Sequence, residues 1–181
     1  MRGETDREKI DRFMTALGER ARGPGRIYLT GGGTAVLYGW RDTTIDLDLK
    51  ADPEPPHFFE ALAALKEIVD LNVELASPAD FIPALPEWHE RSIFIARRSA
   101  LDFYHYDLYS QALAKIERGH ARDLADVEEM LARQLIAPAK LEELFVAIEP
   151  ELPRYPAIDP GELRAAVIAI CQGKNDISTA P

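Results

Sequence analysis

Helical and strand periodicities alternate through the first hundred residues, and helical patterns alone follow. That order predicts an α/β (α+β) fold, a small mixed sheet flanked by helices with a helical C-terminal half. Short apolar runs bounded by turn residues, such as Ile27-Tyr28-Leu29 and Leu71 to Leu75, separate longer segments whose apolar residues recur every three or four positions. At 181 residues, 46% of them hydrophobic, the chain can bury a core of ordinary size. The expected division is an α/β core over residues 1–107, a helical region over 108–173 packed on that core, and a disordered tail over 174–181.

Each element has a local reason. Ile10, Phe13, Met14 and Leu17 place one apolar stripe on a helix over residues 4–21, which Gly23-Pro24-Gly25 ends. A strand over 26–30 runs into Gly31-Gly32-Gly33, and a short helix is expected near 33–39. A strand over 45–50 follows, and Asp52-Pro53-Glu54-Pro55-Pro56 makes a loop. Phe58, Leu62, Leu65 and Val69 mark a helix over 57–70, and Leu71 to Leu75 marks a strand. Ser77-Pro78 starts a loop or helical turn that ends near Trp88. Residues 92–96 and 101–106 form a hairpin turning at Arg98-Ser99. Helices are expected near 108–118, 121–135 and 138–148, and after a proline-rich loop over 150–160 a last one near 160–172.

The chemistry concentrates in two places. The first is Thr30-Gly31-Gly32-Gly33-Thr34 followed by Thr44-Ile45-Asp46-Leu47-Asp48-Leu49. Glycines let a backbone approach a phosphate, and the helix start behind them offers N–H groups to an anion. Two aspartates spaced by two on a strand share a face, roughly 7 Å apart; Ile45, Leu47 and Leu49 then turn to the core. Like charges so close call for a cation, or for a proton on one of them. The run fits neither a dinucleotide fingerprint, since Val36 stands where a small residue is needed, nor a P-loop, which needs a Gly-Lys pair five residues on.

An apolar strand, a glycine pair and, about a dozen residues later, an apolar-Asp-apolar-Asp-apolar strand resemble the signature of the DNA polymerase beta-like nucleotidyltransferase superfamily. The second stretch, Lys115-Ile116-Glu117-Arg118 through Arg122-Asp123-Leu124-Ala125-Asp126, resembles the Lys…Arg…Arg-Asp-x-x-Asp segment of its AbiEii/MenT-like branch, which includes bacterial toxins of toxin–antitoxin systems and domains of unknown function. The likeness spans roughly residues 25–135 and implies a minimal nucleotidyltransferase fold. It implies Mg²⁺ (or Mn²⁺) at Asp46 and Asp48, phosphate contacts from Gly31, Gly32, Gly33 and Thr34, and active-site roles for Lys115 and Asp126, with Asp123 an alternative to Asp126. Arg41 and Arg118 would assist with phosphate charge. The implied reaction moves a nucleoside monophosphate from an NTP to an RNA such as tRNA, a protein or a small molecule, with an antitoxin as a further partner. The alternative is an inactive member of the fold that binds a nucleotide or another chain.

Such sites usually carry a third carboxylate on a later strand. Glu74, between Val73 and Leu75, fits that place as metal ligand or general base, and Asp102 and Asp107 on the hairpin share the pattern. His105 and His120 read as ligands or as structural histidines, and Trp88 as packing or a base-stacking surface. Lys115 falls at the edge of its helix's apolar stripe, as a snorkelling lysine also would, and Arg122 and Asp126 are spaced to pair.

A net charge of −10 argues against broad nucleic-acid binding, although basic residues cluster between Arg91 and Arg122. The single Cys171 excludes an internal disulfide framework. The charged N-terminus and the lack of a long apolar run predict a cytoplasmic chain with no membrane span.

Overall fold

The computed structural model describes residues 3–173, so the expected tail over 174–181 lies outside the described residues. In chain order the elements are α1 (Arg7–Arg20), β1 (Gly25–Thr30), α2 (Gly31–Tyr38), β2 (Asp46–Ala51), α3 (Phe58–Ile68), β3 (Asn72–Glu74), α4 (Trp88–Arg91), β4 (Ile93–Arg98) and β5 (Leu101–His105). The helices α5 (Leu108–Arg118), α6 (Ala121–Ala132), α7 (Pro138–Ile148) and α8 (Pro160–Cys171) complete it. Short 3₁₀ turns occupy Pro78–Asp80 and Glu149–Arg154, the latter where only a loop was expected.

Two compact units result. One holds the residues up to 77 together with 89–107, and the other holds 78–88 together with the residues from 108. The segment over 78–88 thus belongs with the helices although it precedes the β4–β5 hairpin; its 3₁₀ turn packs on α5.

The first unit is a mixed five-stranded sheet in the order β3-β2-β1-β5-β4. β1 runs antiparallel to β2 and parallel to β5, β2 runs parallel to β3, and β4 and β5 form the predicted antiparallel hairpin. Strand alternation gives the sheet two different faces. Ile27, Leu29, Leu47, Leu49, Val73, Leu101 and Phe103 bury one face against Ile10, Phe13, Met14 and Leu17 of α1, Val36 of α2 and Phe58, Leu62 and Leu65 of α3. Each such side chain contributes about 1.5–3 kcal/mol by leaving water, so this face holds the unit together. Ile45 does not join it. The strand starts one residue later, at Asp46, and Ile45 is 60% exposed.

In the second unit α5 is the hub, touching α6, α7 and α8. Leu108, Ala112, Leu113 and Ile116 of α5, Val127 and Met130 of α6, Leu141, Leu144, Phe145 and Ile148 of α7, and Leu163 and Val167 of α8 are buried. Their three-and-four spacing is what the sequence showed. Pro138 and Pro160 sit in the first turns of their helices, where a missing N–H costs nothing, and the Asp159 carboxylate accepts from the N–H groups of Gly161 and Glu162. No helix among the described residues is long and apolar enough to cross a membrane.

Candidate active site

β1 delivers its last residue, Thr30, directly into α2, so the glycine run lies inside the first helical turn rather than ahead of it. Thr30 is extended at the N-cap position, and its side chain makes no capping bond. Gly31 has φ +60°, a conformation that favours glycine. A Cβ there would lie 2.5 Å from Oδ2 of Asp48, so the Asp48 carboxylate rests on the bare face of Gly31. Gly31 is the glycine of the run that takes a positive φ. Gly32 is glycine because the Thr44 side chain presses on it, and a Cβ on Gly33 would lie 2.6 Å from Cδ1 of Leu47. Thr44 pins the entry to β2: its backbone pairs with Thr5 (N···O 2.7 and 2.9 Å), and its hydroxyl donates to the Asp46 carbonyl at 3.1 Å.

Asp46, Asp48 and Glu74 share the second face of the sheet. Thr30 stands opposite Asp48 in the β1–β2 register, and the β2–β3 register sets Asp46 against Asn72 and Asp48 against Glu74. Asp46 and Asp48 are half-buried and Glu74 is exposed. Asn72, which sequence reasoning missed, donates from Nδ2 to Asp46 Oδ1 at 2.6 Å and to Glu74 Oε1 at 3.3 Å. The signal was present: Asn72-x-Glu74 repeats the spacing of Asp46-x-Asp48, and a second same-face polar pair on a strand marks its neighbour.

The rival carboxylates are occupied by arginines. Asp102 is bound in a fork by Arg97 (2.6 and 2.8 Å), and those hydrogen bonds hold its carboxyl below the usual range. Asp107 is fully buried and gripped by Arg91 (3.2 and 2.9 Å), while its N–H donates to the Ser92 hydroxyl.

Beneath the glycine turn, Thr34 is fully buried. Its hydroxyl lies 3.4 Å from the Leu29 carbonyl and 3.3 Å from Nδ1 of His105, so it ties α2 to β1 and β5. His105 is itself buried against the Tyr38 ring (4.6 Å), which stacks on Trp40. Burial, helped by the charge of Arg7, pushes the imidazole down to about 4, leaving a neutral histidine in the core. Arg41 is half-buried, its N–H 3.4 Å from the Ala35 carbonyl behind the turn. Trp88 is buried, and His120 is the exposed N-cap residue of α6, with no capping bond from its ring.

In the second unit the other motif closes on itself. Lys115 is 4% exposed, and its amine donates to Asp126 Oδ2 at 2.6 Å and Asp123 Oδ1 at 3.1 Å. Arg118 adds a bond to Asp123 Oδ1 at 2.7 Å while lying over the Phe81 ring. Burial pushes the Asp123 carboxyl up, but Lys115 and Arg118 outweigh it and hold the group below its usual range. Lys115 is therefore the anchor of an ion network that joins α5 to α6, with the Asp123 and Asp126 carboxylates on one amine.

Among the described residues, no three His, Cys, Asp or Glu side chains converge closely enough to hold a metal by themselves. The donor set on β2 still fits Mg²⁺. It offers two hard carboxylates on one face, and Mg²⁺ is commonly held by one or two carboxylates completed by water and substrate phosphates. The Asp48 oxygen lies against Gly31, at the first turn of α2.

Comparison with protein families matches residues 8–157 to a family described as nucleotidyltransferase of unknown function (DUF6036). The match covers most of the chain, and the chain belongs to that family. No curated protein and no solved structure matches it.

Proposed function

We propose that this member of the nucleotidyltransferase family transfers a nucleoside monophosphate from an NTP to a hydroxyl acceptor, with Asp46 and Asp48 holding Mg²⁺ (or Mn²⁺). The observation that carries the reading is the contact of Asp48 with Gly31. It joins a helix N-terminus, the chain's anion site, to the carboxylate pair, its cation site. A bound Mg²⁺ would neutralise phosphate charge and orient the triphosphate.

The protein's own groups do the rest. The first turn of α2 directs its N–H dipoles at the β- and γ-phosphates. Thr34 keeps that turn fixed from below and does not reach the ligand, because its hydroxyl is buried. Glu74, exposed beside Asp48, takes the proton of the attacking hydroxyl or adds a ligand oxygen. Lys115 enters through its motif. A phosphate contact would require its amine to exchange Asp123 or Asp126 for the ligand, whereas its bonds as they stand make it a support for α5 and α6. The acceptor is an RNA end, a protein side chain or a small molecule. The likeness of Lys115 to Asp126 to the toxin-containing branch favours RNA and an antitoxin partner.

The test is to incubate the protein with each labelled NTP, Mg²⁺ and either total tRNA or a protein extract. Label should move from one NTP to one acceptor. Replacing Asp46→Asn and Asp48→Asn together should cut transfer by about 10³-fold, since a metal ion supplies several kcal/mol of charge stabilisation. Transfer unchanged in that folded double variant would remove the site. NTP binding without transfer to any acceptor would leave an inactive nucleotide-binding member of the family.

A further inference from the structure

We infer that Asn72 is a positioning residue of this site: from the neighbouring strand it sets the orientation of Asp46 and holds Glu74 beside it. The inference rests on the nucleotidyltransferase reading. An Asn side chain offers either two N–H donors or a carbonyl acceptor to what it faces. Here it faces two carboxylate oxygens, Asp46 Oδ1 at 2.6 Å and Glu74 Oε1 at 3.3 Å, so its NH₂ must be turned toward them. Both hydrogens are thereby used on acidic groups. Asn72 is directly opposite Asp46 in the parallel β2–β3 register, and β3 is only three residues long, from Asn72 to Glu74. The strand thus puts one donor and one carboxylate alongside the aspartate pair.

The chemistry of that donor distinguishes the site from the two rival carboxylates. Asp102 and Asp107 meet guanidinium groups, which cancel their charge. Asn72 brings no charge. It restrains Asp46 through Oδ1 and leaves the negative charge in place for a cation. Hydrogen-bond partners of metal-ligating carboxylates typically contribute 10–100-fold to metal affinity by fixing the ligand's rotamer.

The experiment compares wild type with Asn72→Ala and Asn72→Leu, each confirmed folded by circular dichroism. Mn²⁺ binding is read by electron paramagnetic resonance, with and without a non-hydrolysable NTP analogue. Asp46→Asn is the control that removes a ligand. Both Asn72 variants should bind Mn²⁺ in the presence of nucleotide 10–100-fold more weakly than wild type. A packing role would instead separate the two: Leu, which keeps the branched shape of Asn72, would behave as wild type and Ala would not. That outcome overturns the inference, as does wild-type Mn²⁺ affinity in both variants while Asp46→Asn loses it, and in each case the nucleotidyltransferase reading stands. If wild type itself binds no Mn²⁺ with nucleotide, the reading fails and the inference with it.

Discussion

The two acidic clusters of this protein use the same side chain in opposite ways. On the β2–β3 face, the half-buried Asp46 takes its hydrogen bond from the neutral amide of Asn72, with Asp48 beside it packed on Gly31. Between α5 and α6, Asp123 and Asp126 are buried and share one ammonium, with Arg118 added. A carboxylate taken out of water with an internal cation is committed to the fold, because separating the pair leaves an uncompensated buried charge. Asp46, held in place by a dipole, keeps its charge available to a ligand. The nature of the nearest donor, more than the spacing of the acids, separates a structural cluster from a candidate site.

Removing the shared cation gives the largest expected effect on stability. Lys115→Met should destabilise the protein by about 3–5 kcal/mol, measured by urea unfolding at pH 7, because two buried carboxylates lose the ammonium they share while Asp123 keeps Arg118. Replacing Asp123 and Asp126 together with Lys115 by apolar residues should recover most of that loss. A Lys115→Met loss under about 1 kcal/mol would break the contrast between the clusters.

Acid should reach the two units in different pH windows. The folded-state value of His105 is depressed to about 4 from 6.5, so the unfolded chain binds the extra proton between those values. Its contribution is complete above pH 6.5 and is lost as the pH falls toward 4, by about 3 kcal/mol at about 1.4 kcal/mol per pH unit. Asp123 is a depressed carboxyl, so its contribution persists down to the ordinary carboxylate value of 3.8 and is lost only as the pH falls further, through its folded-state value. Trp40, stacked on the Tyr38 ring that touches His105, reports the first unit in a Trp88→Phe variant, and Trp88 reports the second in Trp40→Phe. The Trp40 unfolding midpoint should fall between pH 6.5 and 4.5, and His105→Phe should flatten it. A wild-type Trp40 midpoint constant over that range would remove the argument.

The smallest effect falls on the candidate site. Without metal, Asp46→Asn with Asp48→Asn should leave unfolding free energy within about 0.5 kcal/mol of wild type, or slightly higher as repulsion is relieved. The new amide oxygen at position 46 still accepts from Asn72. A loss of 2 kcal/mol or more in the absence of metal would make this pair structural after all.

Much of this was legible along the chain. Glycine and proline punctuate the loops, and the spacing in α5 to α8 announces the buried stripes. Asp46 and Asp48 face together because a strand alternates, and Leu47 and Leu49 are buried for the same reason. Ile45 was misjudged because the pattern continues through it while the strand does not; the bridge between Thr5 and Thr44 sets where β2 begins.

The sequence by itself determined the elements, the glycine turn and the aspartate pair, since each depends on a period or a turn chemistry carried by neighbouring residues. Only the tertiary structure decided which carboxylates have cations. Asn72 reaches Asp46 across 26 residues, Arg91 reaches Asp107 across 16, and His105 reaches Thr34 across 71. Those meetings follow from strand register and helix packing, which a local pattern constrains only to a face. The same is true of Lys115. Its place at the edge of an apolar stripe allowed a cleft or a core, and the turn from α5 into α6, by placing Asp123 and Asp126 against its amine, decided its partners.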